Sequence, residues 1–234
     1  VRGLFVTGTD TGVGKTIVSA ALLAAMTAEG EPVRAHKPAV TGLDEKLDDM
    51  EAGAWPADHE LLAAVSGMAP ADVAPLRYGP AVSPHLAAVL TGQRVDPAEL
   101  LAAARAAGGK GTLVLEGVGG LLTPLAQDFT VCDLAAALDL PLLIAARPGL
   151  GTINHTLLTI RAARDAGLEV RSVVLTPWPE QPSALERSNR ETIARTGDLD
   201  VEVLGRVHGP NPAELTQAGA SLPWRSWLGG RSGA

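Results

Sequence analysis

Two hydrophobic periods alternate along the chain. Short apolar runs rich in Val, Leu and Ile are separated by longer stretches in which Ala and Leu return at helical spacing. The first run, Leu4-Phe5-Val6-Thr7, predicts a buried strand, and residues 16–28 predict a helix stopped at Gly30. Residues 32–40 carry a second strand. Residues 58–66 predict a helix with Asp58 near its start. Residues 96–107 predict another, with Asp96 as N-cap, Pro97 at the first position and Gly108 after the end. The clearest strand is Thr112-Leu113-Val114-Leu115, which runs into Glu116-Gly117-Val118-Gly119-Gly120. A helix over 131–138 then leads to a strand at 142–145. A helix over 153–166 leads to a strand at 170–175, and a helix over 185–195 leads to a last strand at 201–204. This alternation predicts an α/β fold, a doubly wound and mostly parallel sheet with helices on both faces. The acidic stretch 44–51, with Gly53 and Pro56 nearby, reads as an exposed loop. No internal repeat or shift of composition divides the chain, so residues 1–228 are expected to form one domain and 229–234 a frayed tail.

Composition narrows this picture. Of 234 residues only two are Phe, one Tyr and four Trp, so the core must be built from Leu, Val and Ala, with helices packed closely on the sheet. A formal charge of −7 argues against general nucleic-acid binding, which needs a basic surface. A single cysteine, Cys132, excludes an internal disulfide and a cysteine-rich metal site, and reads as a small buried hydrophobe. No apolar run reaches the roughly 18–20 residues of a membrane span, and glycine interrupts the N-terminus before a signal-peptide core can form. The expectation is a cytoplasmic protein with no membrane or nucleic-acid partner.

The chemistry begins at Gly8-Thr9-Asp10-Thr11-Gly12-Val13-Gly14-Lys15-Thr16. Gly8, Gly14, Lys15 and Thr16 satisfy G-x-x-x-x-G-K-[ST], with a strand before and a helix after, as a phosphate-binding loop requires. Its glycines let successive N–H groups turn inward, and the helix presents its positive end to a phosphate. Lys15 reaches the β- and γ-phosphates and Thr16 offers a hydroxyl to Mg²⁺. Neither glycine-rich turn has the G-x-G-x-x-G spacing of a dinucleotide fold. Glu116 ends the 112–115 strand at the sheet edge where ligands bind, placed to hold a metal directly or through water. Lys37 ends the second strand at the same edge. His36, His59, His155 and His208 have no partner in the sequence and read as structural.

Taken together, these motifs resemble the dethiobiotin synthetases, ATP-dependent cyclo-ligases of biotin synthesis. The resemblance runs from about residue 5 to about 205. It rests on the long P-loop (5–16), Lys37-Pro38 with Thr41-Gly42, Ser83-Pro84-His85, the run 116–125 from Glu116-Gly117-Val118 to Pro124-Leu125, and Leu150-Gly151-Thr152-Ile153-Asn154-His155. It implies a homodimer with a seven-stranded sheet, acting on 7,8-diaminopelargonate, CO₂ and MgATP. By position it implies that Thr11, Gly12, Val13, Gly14, Lys15, Thr16, Glu116 and Thr176 bind the nucleotide, and that Lys15 and Lys37 are catalytic. Thr16, Asp58 and Glu116 would hold Mg²⁺, with Asp48 and Asp49 competing with Asp58. Thr11, Lys37, Thr41, Gly117 and Val118 would surround the substrate, and Leu150, Gly151 and Asn154 would reach it from the partner subunit. Where many members carry an adenine-reading Asn, this chain has Thr176-Pro177-Trp178-Pro179, which implies looser base selection.

Two other P-loop classes fit less well. An amidoligase of the cobyrinate a,c-diamide synthase kind needs a glutaminase domain, for which this length leaves no room. A ParA/MinD-like partitioning ATPase usually carries an extra lysine early in the loop, where this chain has Thr9-Asp10-Thr11.

Overall fold

The computed structural model describes residues 1–45 and 55–229. In chain order the elements are β1 (Gly3–Gly8), α1 (Lys15–Ala28), β2 (Val33–His36), β3 (Ala39–Val40), α2 (Asp58–Ser66), α3 (Pro70–Val73), β4 (Leu76–Arg77), α4 (Pro84–Leu90), α5 (Pro97–Gly108) and β5 (Thr112–Glu116). They continue with β6 (Pro124–Ala126), β7 (Phe129–Thr130), α6 (Val131–Leu138), β8 (Leu142–Ala146), α7 (Thr152–Asp165), β9 (Val170–Trp178), α8 (Ala184–Gly197), β10 (Val201–Gly205), α9 (Pro212–Ala220) and α10 (Trp224–Leu228).

The main sheet is parallel, in the order β10-β9-β8-β1-β5-β2. Side chains alternate between its faces with the period of a strand. Phe5, Leu113, Leu115, Leu142 and Ile144 enter one core with α5, α6, α7 and α8. Leu4, Val6, Val114, Leu143 and Ala145 enter the other with α1, α2 and α9. Parallel strands covered on both faces read as continuous apolar runs, which is why β1, β5 and β8 were legible in the sequence. Strands β1 and β5 are neighbours whose following helices, α1 and α6, lie on opposite faces. Their C-terminal ends therefore open a crevice at the switch point of the sheet.

The seven strands implied by the family resemblance are corrected to six in this sheet among the described residues. The second strand expected within 32–40, with Lys37 at its end, runs from Val33 to His36 and stops one residue before Lys37, because Pro38 has no N–H to continue the ladder. Beyond it, β3 pairs with β4 in a separate two-stranded sheet.

On the α1 face α9 approaches so closely that a Cβ on Gly219 would lie 1.9 Å from the Ala21 carbonyl oxygen. Trp224 and Trp227 of α10 pack into that same core at 5% and 3% exposure, so these rings are structural. Cys132 is buried as expected. No helix among the described residues is long and apolar enough to cross a membrane.

Candidate active site

The crevice at the ends of β1, β5 and β2 is a cavity of about 840 Å³. Its floor is the loop between β1 and α1. Gly12 and Gly14 adopt φ of +69° and +97°, a region costly for any residue with a Cβ. At Gly14 a Cβ would also lie 2.6 Å from Thr176 Cγ2, so this glycine lets the loop close on the end of β9. Thr11 donates its amide to Asp10 Oδ1 at 2.7 Å, tightening the loop's lip. Thr11, Gly12, Val13, Gly14, Lys15 and Thr16 all border the cavity.

Two lysines meet there. Lys15, the first residue of α1, is 6% exposed and donates Nζ to the Asp10 carbonyl at 2.8 Å. Burial pushes its ammonium down to about 8, with Lys37 adding to the effect and Glu116 opposing it. Lys37 follows β2 at 3% exposure, and its amide donates to the Val73 carbonyl at 2.9 Å. Its Nζ lies 2.5 Å from Glu116 Oε1 and 2.7 Å from Asp58 Oδ2. Burial alone would push the Lys37 ammonium down, but Glu116 and Asp58 outweigh it and hold the group above the usual lysine range. Asp58 answers in kind: burial raises its carboxyl, yet Lys37 and the Thr16 hydroxyl bring the balance below the ordinary range. The two carboxylates on Lys37 thus favour its charged form.

Glu116 is fully buried at the end of β5. Its Oε1 accepts from Thr16 Oγ1 at 2.8 Å as well as from Lys37, while Oε2 is buried without a hydrogen-bond partner among the described residues. The fold thus gathers Thr16, Lys37, Asp58 and Glu116, which are separated by as many as 100 positions in the chain. Asp48 and Asp49 lie outside the described residues.

A family model described as an AAA domain matches residues 2–218. Among curated proteins, an ATP-dependent dethiobiotin synthetase of Anaeromyxobacter dehalogenans is 42% identical over 198 residues, covering 83% of this chain and 85% of that one. One from a Mycobacterium species is 37% identical over 97% of this chain and 98% of that one. One from Bacillus subtilis is 35% identical over 93% and 90%. The chain belongs to the dethiobiotin synthetase family. Among solved structures, the cell division ATPase MinD of Pyrococcus furiosus matches with a TM-score of 0.52 over 94% of this chain and 89% of that one. At 17% identity this likeness speaks to the fold alone.

The remaining residues that the dethiobiotin synthetase resemblance singled out fall into two groups. Thr41, Val118 and Thr176 border the cavity, Thr176 at 2% exposure. Gly117 lies behind it, its amide donating to the Val6 carbonyl at 2.8 Å. Leu150, Gly151 and Asn154 sit at the start of α7, exposed and apart from the cavity of their own chain, with Leu150 at 91% exposure. Sequence reading missed Trp55, Arg147, Arg206 and Val207, which also line the cavity. For Arg147 and Arg206 a signal existed, because each directly follows a strand that ends at the ligand-binding edge.

Proposed function

We propose that this chain carries out ATP-dependent ring closure of 7,8-diaminopelargonate with CO₂, releasing dethiobiotin, ADP and phosphate. The supporting observation is the placement of Lys37, held charged by Glu116 and Asp58, in the same cavity as the P-loop. A P-loop alone binds a nucleotide. A second buried cation beside it provides for a second anion, the carbamate.

One amine of the substrate captures CO₂ as a carbamate. A carbamate oxygen attacks the γ-phosphorus of ATP, the bond to ADP breaks, and a carbamic–phosphoric anhydride forms. The second amine attacks the carbonyl carbon, closes the ureido ring and expels phosphate. Negative charge gathers on phosphoryl and carbamate oxygens throughout. Lys15 and the inward-facing amides of the P-loop hold the β- and γ-phosphates, whose charge compensates an ammonium that burial destabilises. Lys37 holds the carbamate, and since it keeps its proton it acts by charge and not as a base. Thr11, Thr41 and Val118 shape the space for the diamine.

Thr16, Asp58 and Glu116 fit Mg²⁺ as all-oxygen donors. The unpartnered Glu116 Oε2 is a buried acceptor that such an ion would satisfy. No group of three or more His, Cys, Asp or Glu side chains is placed to hold a metal ion among the described residues, so phosphate oxygens and water would complete its shell. When bound, the ion neutralises charge on the β- and γ-phosphates.

Leu150, Gly151 and Asn154 are exposed and do not line their own cavity, and in this reading they serve the site of a second copy in a homodimer. The deciding assay combines the protein with diaminopelargonate, bicarbonate and MgATP and follows ADP and the ureido product together. The expected result is their equimolar appearance. ADP release that ignores the diamine, without ring product, overturns the reading and favours a switch ATPase.

A further inference from the structure

Arg147 is the residue immediately after β8, and β8 pairs with β1 in the register Gly8↔Ala145. The Thr9 amide donates to the Ala145 carbonyl at 3.1 Å, so the end of β8 is tied directly to the start of the P-loop. Ala145 faces the α1 side of the sheet, and the alternation along the strand carries Arg147 toward that same side. There it borders the cavity, and its Nη2 donates to the Gly12 carbonyl at 3.3 Å.

This is the only hydrogen bond or ion pair that the Arg147 guanidinium makes among the described residues, and it joins a cation to a neutral acceptor at the long end of hydrogen-bond distance. Two positions earlier in the same loop, the Asp10 carbonyl holds Lys15 Nζ at 2.8 Å. Two cations from distant parts of the chain are thus parked on carbonyls two positions apart in one phosphate loop. Gly12 keeps the approach open, since a Cβ there would come within 3.3 Å of Arg147 Nη2. A planar guanidinium suits paired phosphate oxygens, and a charge-assisted bond to phosphate is roughly twice as strong as one to a neutral acceptor.

We propose that Arg147 binds an oxygen of the terminal phosphate across the lip of the P-loop, acting in cis as a second cationic contact beside Lys15. This role presupposes that the loop holds a nucleoside triphosphate, as proposed above. It adds the residue that follows β8 to the nucleotide site and separates triphosphate from diphosphate. An arginine that meets the transferring phosphoryl group can be worth about 10³–10⁵ in rate.

The test titrates the full chain and its Arg147→Ala and Arg147→Lys variants with MgATP and MgADP, and measures kcat and KM for both substrates. For Arg147→Ala the expected result is about a tenfold or greater loss of ATP affinity, ADP affinity within about twofold of wild type, and a kcat lowered at least ~10²-fold. Arg147→Lys recovers part of the ATP affinity and less of kcat, because it restores the charge without the fork. Because Arg147 is exposed, both variants should melt within about 2 °C of wild type. Unchanged ATP binding and kcat, or equal losses for ATP and ADP, overturn the proposal. A raised KM for the diamine acid with ATP affinity intact would assign Arg147 to the substrate carboxylate and overturn it too. Wild-type protein that binds no triphosphate overturns this role together with the nucleotide reading beneath it.

Discussion

Removing the Lys37 ammonium strands a carboxylate that no solvent reaches. Glu116 is fully buried, and without Lys37 its Oε1 keeps only the Thr16 hydroxyl while Oε2 has no partner among the described residues. Breaking a buried ion pair from one side costs about 3–5 kcal/mol, and Lys37→Met should fall in that range. Glu116→Gln should cost less, about 1–3 kcal/mol, because Lys37 retains the half-exposed Asp58 carboxylate at 2.7 Å. In the double variant Lys37→Met/Glu116→Gln the stranded charge is gone. Its loss should be smaller than the sum of the singles by about 2 kcal/mol. Guanidinium unfolding of all four proteins at neutral pH measures this, with the slope unchanged and only the midpoint moving. Turnover should behave differently. If Lys37 holds the carbamate and Glu116 the metal, as proposed, it should fall at least ~10²-fold in both single variants and stay low in the double, which restores neither group. Single effects that add within about 0.5 kcal/mol would refute the claim that Lys37 and Glu116 form one electrostatic unit. Near-normal turnover in Lys37→Met would remove Lys37 from the reaction.

Other parts of the molecule are open to the same treatment. Burial holds the His36 imidazole at about 4 against an ordinary 6.5. The unfolded chain therefore takes up a proton between these pH values that the folded chain refuses, and stability should fall by about 3 kcal/mol as pH drops from ~6.5 to ~4. His36→Leu should flatten that slope in denaturant titrations run across this range, and parallel curves would refute it. Gly219→Ala places a Cβ 1.9 Å from the Ala21 carbonyl oxygen, so α9 must move off α1. A loss of about 1–3 kcal/mol is expected, and unchanged thermal unfolding would contradict the close packing. Mixing inactive Lys37→Ala with inactive Asn154→Ala subunits should restore up to about one quarter of wild-type turnover if each site takes Asn154 from its partner. A mixture as inactive as its components would refute the shared site.

Much of the fold was legible because its physics is local. Strands β1, β5 and β8 are covered on both faces and read as uninterrupted apolar runs. Helices α2 and α6 begin and end as their local pattern predicts. Within 32–40 the strand ends one residue before Lys37, where the sequence placed its end, and Pro38 has no N–H to prolong the ladder; the pairing of Ala39–Val40 with β4 is a tertiary contact with no local signal. The short pieces α3, β4 and α4 are too brief for any period to register, and they hold their shape through packing on the main body.

The sequence by itself determined the phosphate loop, the strand-end positions of Lys37 and Glu116, and membership of one family. These features depend on residue type at fixed spacing, and adjacent backbone carries such spacing unaided. Only the tertiary structure decided what those residues are to one another. It brought Asp58 and Glu116 onto the same ammonium, left one Glu116 oxygen unpartnered among the described residues, and left Leu150 and Asn154 exposed outside the lining of their own cavity. It also brought Arg147 over Gly12 from 135 positions away. The charge state and partner of a buried group depend on what the parallel sheet sets beside it, and strand order is fixed by long-range packing, which no local window of residues contains.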